Sequence, residues 1–160
     1  MVGNESQSIL VYLDVSCLNR PFDDQTQVRV RLEAEAVLLI LERVDRGEWQ
    51  QATSDMATLK TDAMTDEERR RRVRALLQDP EVFVKLTEGI FQRAGEVEGL
   101  GIKPADAVHV AAAEAANADL LFTCDDRFPR AATRHADKLR VRVANPLDWM
   151  KEVSDAGDLG

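Results

Sequence analysis

The chain has 160 residues, of which 44% are hydrophobic and 31% are charged, and its formal net charge is −8. This length is enough for one globular domain with a sizeable core. The acidic balance argues against a protein that binds nucleic acid with its whole surface, because phosphate binding relies on Lys and Arg, but it is compatible with an acidic pocket that holds a divalent cation.

The composition also predicts the compartment and the domain boundaries. No apolar run is long enough to span a membrane, and the polar residues 1–8 do not have the basic and apolar parts of a signal peptide, so we expect a cytoplasmic protein without membrane contact. We expect one domain over residues 9–152, after a disordered segment at residues 1–8 and before a flexible acidic tail at residues 153–160. Cys17 and Cys124 are too few for a disulfide framework, and we expect both to be buried as small hydrophobic side chains.

The first predicted element is a buried strand at residues 9–13, which are five consecutive apolar residues. Asp14 follows it directly. Ligands of open α/β sheets bind beyond the carboxyl ends of the strands, so Asp14 is a candidate for chemistry. The alternative at this point is that its side chain only caps the next loop through a hydrogen bond to the backbone.

The segment from Asp14 to residue 100 alternates between helices and strands. A loop with Asn19, Pro21 and two aspartates comes first. The strand at residues 49–54 has few apolar side chains, and we expect it near an edge of the sheet. The predicted elements are a helix at 25–46, this strand, a short helix that follows Ser54 or Asp55 as N-cap, a helix from Thr65 to Asp79, a strand at 82–86 and a helix at 87–100.

An arginine-rich segment lies at residues 69–74 on the second of the two middle helices. Such a run usually forms a solvated helix face. The alternative is a patch that binds an RNA backbone or a protein partner.

The next helix is predicted from Lys103, because the proline that follows is tolerated in a first helical turn. Its Asp106 and His109 are three residues apart and therefore share one face. We expect His109, on a buried face, to be a hydrogen-bonded core residue rather than a base. A second buried strand at residues 120–123 then leads to Asp125, as the first strand leads to Asp14. The remaining predicted elements are a short helix at 129–137, a strand at 141–144 and a short packed helix around Trp149.

Strands that alternate with helices predict an α/β fold with a mostly parallel central sheet and helices on both faces. If the two buried strands are neighbours, Asp14 and Asp125 converge, and Asp106 can approach the same cleft. Crowded carboxylates raise one another's pKa, and a cation usually neutralises them. Oxygen ligands favour Mg²⁺ or Mn²⁺. A metal-bound water beside a phosphodiester provides a nucleophile, so the predicted chemistry is hydrolysis of a phosphate ester.

Four short motifs resemble the PIN domain family in their order and spacing. They are Tyr-Leu-Asp-Val-Ser at 12–16, Lys-Pro-Ala-Asp-Ala-Val-His at 103–109, Thr-Cys-Asp-Asp-Arg-Phe at 123–128 and Val-Ala-Asn-Pro at 143–146. The resemblance covers residues 9–150 and implies a three-layer α/β/α sandwich and a Mg²⁺- or Mn²⁺-dependent ribonuclease. In small bacterial or archaeal members it commonly implies the VapC-like toxin of a type II toxin–antitoxin pair. Such folds often dimerise through helical faces, so a homodimer is an open alternative.

The resemblance also assigns the site residues. The family's acidic residues, which are catalytic and bind the metal, correspond to Asp14, Asp106 and Asp125. Three further positions have supporting roles. They are Asp126, where the family often adds an acid, Thr123, whose hydroxyl often supports the site, and Asn19, a weaker candidate in the loop beyond Asp14.

The sequence departs from the family on the helix after the second strand. The family usually has a Glu there, and counting from Ser54 places Lys60 at that position. Asp55 and Asp62 are close in sequence, but a shift of one or two residues turns a side chain by about 100–200° around the helix. Three explanations stay open: Lys60 takes the place of a cation and weakens metal binding, Asp55 or Asp62 substitutes for the Glu, or this helix is placed differently.

Two other functions are compatible with the sequence. Lys60 motivates a PIN-like module that binds RNA or protein and is catalytically impaired. A phosphoryl-transfer enzyme or receiver domain on a similar sheet is the other. A phosphatase of the haloacid dehalogenase type needs a second Asp two residues after the first, and this chain has Ser16 there.

Overall fold

The computed structural model describes residues 8–77 and 79–155. The strands are β1 (Leu10–Leu13), β2 (Gln50–Ser54), β3 (Val82–Val84), β4 (Leu120–Phe122) and β5 (Arg142–Ala144). They form one sheet in the order β3-β2-β1-β4-β5, and each neighbouring pair is parallel. The central strand is thus β1, the most continuously apolar of the predicted strands.

Helices cover both faces of this sheet. They are α1 (Val15–Asn19), α2 (Val28–Asp45), α3 (Asp55–Asp62), α4 (Glu67–Leu76), α5 (Glu88–Glu98), α6 (Pro104–Ala115), α7 (Arg127–Arg134) and α8 (Pro146–Asp155), with 3₁₀ turns at Arg20–Phe22 and Ala136–Lys138. Because side chains alternate along a strand, Val11 and Leu13 pack into the core under α2 and α8, while Tyr12 packs into the core under α5 and α6. The three-layer α/β/α architecture is confirmed.

The segment after Asp14 is helical up to Phe22, so the predicted loop is wrong for residues 19–22. Helix α1 begins directly after Asp14, whose side chain accepts a hydrogen bond from the backbone N–H of Cys17. This N-cap satisfies one of the free N–H groups of the first turn. Cys17 and Leu18 are fully buried, and their burial stabilises a helix that is too short to persist alone.

Strand β2 lies between β1 and the edge strand β3, so it is near an edge of the sheet, as expected. Its polar residues Gln51, Thr53 and Ser54 are nevertheless all buried. A long-range hydrogen bond makes the burial of Ser54 possible, because its hydroxyl lies 2.6 Å from the Tyr12 hydroxyl. Thr53 Oγ1, in contrast, is buried without a hydrogen-bond partner among the described residues.

The last helices differ in extent from their predictions. Helix α7 begins at Arg127 and ends at Arg134, and a 3₁₀ turn follows it. Helix α8 continues to Asp155, so the first residues of the expected tail are helical. The rest of that tail, residues 156–160, and residues 1–7 of the expected N-terminal segment lie outside the described residues. Within the part of the chain that the structure describes, no helix is both long and apolar enough to cross a membrane.

Candidate active site

Three acidic residues meet at the carboxyl ends of the two central strands. In the parallel register Leu13 pairs with Phe122, and the backbone N–H of Asp14 donates to the carbonyl of Phe122 over 3.0 Å. Asp14 therefore ends β1 beside the end of β4, and Asp106 lies in the first turn of α6. Burial, followed by the negative charges of Asp14 and Asp125, raises the pKa of Asp106 to about 6. The three carboxylates thus share one electrostatic environment, as their convergence at the strand ends predicts.

Asp14 is the most enclosed of the three acids, with 5% of its surface exposed. Burial raises its pKa, although hydrogen bonds from the Ser16 and Thr123 hydroxyls and from the N–H of Cys17 act in the opposite direction. The side chain therefore has two roles that the sequence left as alternatives. It caps α1, and it also belongs to the acidic cluster, since it contributes to the raised pKa of Asp106.

Two hydroxyls fix the geometry around Asp14. Ser16 Oγ donates to Asp14 Oδ1 and accepts the backbone N–H of Cys124 over 3.0 Å. Thr123 Oγ1 accepts the backbone N–H of Asp125 over 3.2 Å, and lies 3.4 Å from Ser16 Oγ. Thr123 thus contacts the site, as expected. No sequence pattern predicts this role of Ser16, although a Ser two residues after a strand-end Asp can fold back to it.

Lys60 is a cation close enough to the acidic cluster to act on two of its members. It lies on α3, and its charge lowers the pKa of both Asp14 and Asp106. Among the described residues it forms no ion pair within 4.0 Å. Asp55 instead accepts the N–H of Leu86 over 2.9 Å, and Asp62 accepts from Arg74 over 2.6 Å. The structure therefore does not bring Asp55 or Asp62 to the position that the missing Glu would occupy.

Two supporting candidates also make contacts elsewhere. Asn19 Nδ2 donates to the carbonyl of Val15, and Asn19 Oδ1 accepts from Arg69, so its amide joins α1 to α4. Asp126 is exposed, and its carboxylate lies 3.9 Å from Arg29 Nη2. The contacts of these two side chains are thus made with residues other than the three acids.

The arginine-rich segment of α4 pairs largely within the protein. Arg69 donates to Asp23 over 2.7 Å and to the carbonyl of Phe22 over 2.6 Å. Arg72 and Arg74 bind Glu68 and Asp62. Most of the positive charge of this helix is therefore engaged by neighbouring acids.

A buried polar chain lies beside the acidic cluster. The Tyr12 hydroxyl is 2.7 Å from His109 Nδ1 as well as close to Ser54. Burial, and then the charge of Lys60, lowers the pKa of His109 to about 3, so the imidazole is neutral at pH 7. His109 is fully buried, which confirms that it is a hydrogen-bonded core residue.

The two cysteines are buried next to the site, which confirms the expectation for them. Their Sγ atoms are 3.7 Å apart. Cys17 donates its N–H to Asp14, and Cys124 donates its N–H to Ser16, so their backbones, rather than their thiols, contact the site.

The donor chemistry of the cluster fits a hard divalent cation. Asp14, Asp106 and Asp125 supply only oxygen atoms, and their mutual repulsion is what a bound Mg²⁺ or Mn²⁺ would relieve. In residues 8–77 and 79–155, however, no three His, Cys, Asp or Glu side chains stand close enough to hold one metal ion together. With the side chains in this arrangement, a metal would have fewer than three ligands from these residue types.

Comparison with known proteins agrees with this fold. The sequence profile of the PIN domain family matches residues 11–134. Among solved structures, the chain is similar to a chain in the crystal structure of VapBC2 from Rickettsia felis bound to a DNA fragment from their promoter. The TM-score is 0.57 and the identity 14%, over 86% of this chain and 98% of that chain. No curated protein sequence gives a significant match. Since the profile covers more than half of its length, the chain belongs to the PIN domain family.

Proposed function

We propose that this chain is a Mg²⁺- or Mn²⁺-dependent endoribonuclease, and that it is the toxin of a type II toxin–antitoxin pair. PIN domains are generally nucleases. The observation that carries the proposal is the grouping of Asp14, Asp106 and Asp125 near the carboxyl ends of β1 and β4. Burial, followed by the charges of Asp14 and Asp125, raises the pKa of Asp106 to about 6. A carboxyl group with such a shifted pKa, among other acids, is more typical of a functional site than of a structural one.

Each residue of the site has a proposed part. The three acids would hold the metal, which when bound activates a water and offsets the charge that develops on the phosphate. Ser16 and Thr123 hold Asp14 and Asp125 through the hydrogen bonds described above. Lys60 offsets part of the negative charge of the cluster, and its ammonium group would attract an RNA phosphate.

The proposed partner is an antitoxin protein, and the proposed compartment is the cytoplasm, where RNA is available. The similar VapBC2 structure supports a partner of this kind. So does the surface of α2, where four large apolar side chains are at least 40% exposed. They are Val28, Leu32, Leu38 and Leu39. Apolar side chains grouped on one helix are typical of a protein interface, and a second copy of the chain is the alternative occupant. Mass measurement of the purified chain, alone and after co-expression with its neighbouring reading frame, distinguishes the two.

The test of the activity is RNA cleavage by the purified chain with Mn²⁺ or Mg²⁺. We expect the wild type to cleave RNA and to stop when the metal is chelated. Asp14→Asn should remove cleavage, because the amide keeps the helix cap but not the charge. The matched control is Asp45→Asn, since Asp45 is exposed at the end of α2, and it should cleave like the wild type. Equal cleavage by wild type and Asp14→Asn, or none by either, contradicts the proposal.

Lys60 supports a second candidate, a PIN-like module that binds RNA or protein without cleaving it. A Lys whose charge acts on Asp14 and Asp106 competes with a metal for the same negative charge. Calorimetric titration with Mn²⁺ separates the two candidates. Binding by the wild type favours the nuclease. Absence of binding that Lys60→Glu restores favours the impaired module.

A further inference from the structure

Helix α7 has one basic face and one apolar face. Arg127, Arg130 and Arg134 are exposed, and their spacing of three and seven residues places them on one side of the helix. Phe128 and Ala132 lie on the opposite side and are buried, at 2% and 3% exposure. The packing of these two side chains into the core fixes the direction of the arginine face.

The arginine face borders a cavity next to the acidic cluster. The cavity has a volume of about 290 Å³ and lies between α7 and the start of α6. Its charged lining consists of Lys103, Asp106 and the three arginines of α7. Asp106 is therefore shared between the cavity and the acidic cluster, so a chain that enters the cavity passes the proposed catalytic acids.

The four cations of this cavity are not neutralised by the protein. Within residues 8–77 and 79–155, Lys103 and the three arginines of α7 form no ion pair with a carboxylate. Most arginines of α4, in contrast, are paired. In a chain with a net charge of −8, an unpaired basic cluster is a local attraction for an anion. The N-terminus of α6 lies at the same cavity and adds its positive dipole end.

We propose that this cavity is a subsite for a phosphodiester group of single-stranded RNA, adjacent to the phosphate that is cleaved at the acidic cluster. This inference rests on the proposed ribonuclease function. Arginine side chains suit the role because the guanidinium fork binds two phosphate oxygens at once. An acidic peptide is the competing ligand. The continuity of the cavity with the acidic cluster favours RNA, because a polynucleotide has a second phosphate next to the one that reacts.

The test measures RNA binding separately from cleavage. A short fluorescein-labelled single-stranded RNA is titrated with the full chain in the presence of EDTA, and Kd is read from fluorescence anisotropy at several salt concentrations. We expect Arg130→Gln to weaken binding about 5-fold and Arg130→Gln/Arg134→Gln about 20-fold or more, with the slope of log Kd against log salt falling by about 0.7 for each lost phosphate contact. The control is Arg71→Gln, because Arg71 is exposed on α4, and it should change Kd less than twofold.

The outcomes separate the subsite from the nuclease activity. If the wild type cleaves RNA and the α7 variants keep its Kd and KM, the subsite is wrong while the ribonuclease function stands. If the α7 variants lose RNA binding and no metal supports cleavage by the wild type, the cavity is a phosphodiester-binding site, while the nuclease proposal, and with it the placement beside a cleaved phosphate, is overturned. The third outcome concerns polyglutamate, added at the same concentration of charge as the RNA. If polyglutamate displaces the RNA, and if the Arg130 and Arg134 substitutions weaken polyglutamate binding more than RNA binding, an acidic peptide is the ligand and the RNA subsite is overturned.

Discussion

Helix α6 has an acidic residue near each end, and the two are in opposite electrostatic situations. Asp106 lies in the first turn, where the helix dipole favours a carboxylate, and Glu114 lies in the last turn, where the dipole disfavours it. The pKa shifts have the reverse order. The pKa of Asp106 rises to about 6. Burial also opposes ionisation of Glu114, but hydrogen bonds from Arg93 and Arg140 outweigh it and lower the pKa of Glu114.

The difference lies in the partners that the fold supplies. Arg93 binds both carboxylate oxygens of Glu114, over 2.7 and 3.1 Å, and the backbone N–H of Arg140 adds a third hydrogen bond of 2.9 Å. Asp106 has two other acids nearby, and Lys60 and Lys103 act on it only through their charge. A carboxylate that stabilises the fold is paired within the chain. A carboxylate left among like charges is available for a ligand.

The largest effect expected from this comparison is the loss of cleavage on removing the charge of Asp106. We expect Asp106→Asn to reduce RNA cleavage about 10³-fold. Its free energy of unfolding should be unchanged, or higher by up to about 1 kcal/mol, because the variant relieves repulsion. Steady-state cleavage assays and urea unfolding of the same preparation measure both quantities. A variant that is clearly less stable than the wild type would place Asp106 with the structural acids.

The corresponding substitution at the other end of α6, at Glu114, should affect the stability of the fold and not RNA cleavage. Glu114→Gln leaves the guanidinium of Arg93 without its buried partner, and we expect the free energy of unfolding to fall by about 3 kcal/mol. Cleavage by the folded variant should match the wild type, because Glu114 lies at the far end of α6. The control is Glu96→Gln. Glu96 also pairs with Arg93 but is 69% exposed, and its change should stay within about 0.5 kcal/mol. Equal losses from both variants would contradict a special role for the buried pair.

The pH dependence of stability should separate the two ends of α6 further. The folded pKa of Asp106 is raised, so between pH 3.8 and about 6 the native state holds a proton that the unfolded state releases, and stability falls as the pH rises through this window. The folded pKa of Glu114 is lowered from 4.5, so its contribution is complete above pH 4.5 and is lost as the pH falls further.

Urea unfolding in EDTA, from pH 3.5 to 7.5, measures these contributions as differences from the wild type. From pH 4 to pH 7, Asp106→Asn should gain stability relative to the wild type, while Glu114→Gln should lose stability relative to it. If the stability of both variants, relative to the wild type, changed in the same direction between pH 4 and pH 7, the neighbours of the two acids would not control their ionisation.

The sequence was sufficient for the parts of this comparison that depend on local pattern. The apolar run before Asp14 and the similar run before Asp125 predicted two buried strands, and parallel pairing brings their ends together. The burial of the polar residues of β2 was not predictable from those residues alone, because the buried hydroxyl of Ser54 has its partner in Tyr12, which is 42 positions away. The assignment of Asp55 and Asp62 to structural hydrogen bonds depended in the same way on distant partners, which are Leu86 beyond β3 and Arg74 in α4.

The smallest expected effect is that of substituting Ser16, a residue to which the sequence patterns assigned no role. Ser16 holds Asp14 and the N–H of Cys124 with one hydroxyl, whereas the structural acid Glu114 is held by guanidinium groups. We expect Ser16→Ala to lower cleavage about 10-fold, as loss of a ligand-orienting hydrogen bond commonly does, and to reduce the free energy of unfolding by about 1 kcal/mol. Ser16→Thr keeps the hydroxyl and should restore most of the activity. A hydroxyl is neutral, so the Ser16 hydroxyl orients Asp14 without forming an ion pair with it. The Asp14 carboxylate therefore stays available to bind a metal or another cation. Loss of activity in the Thr variant equal to that in the Ala variant would show that the shape of the side chain, rather than its hydrogen bond, holds Asp14.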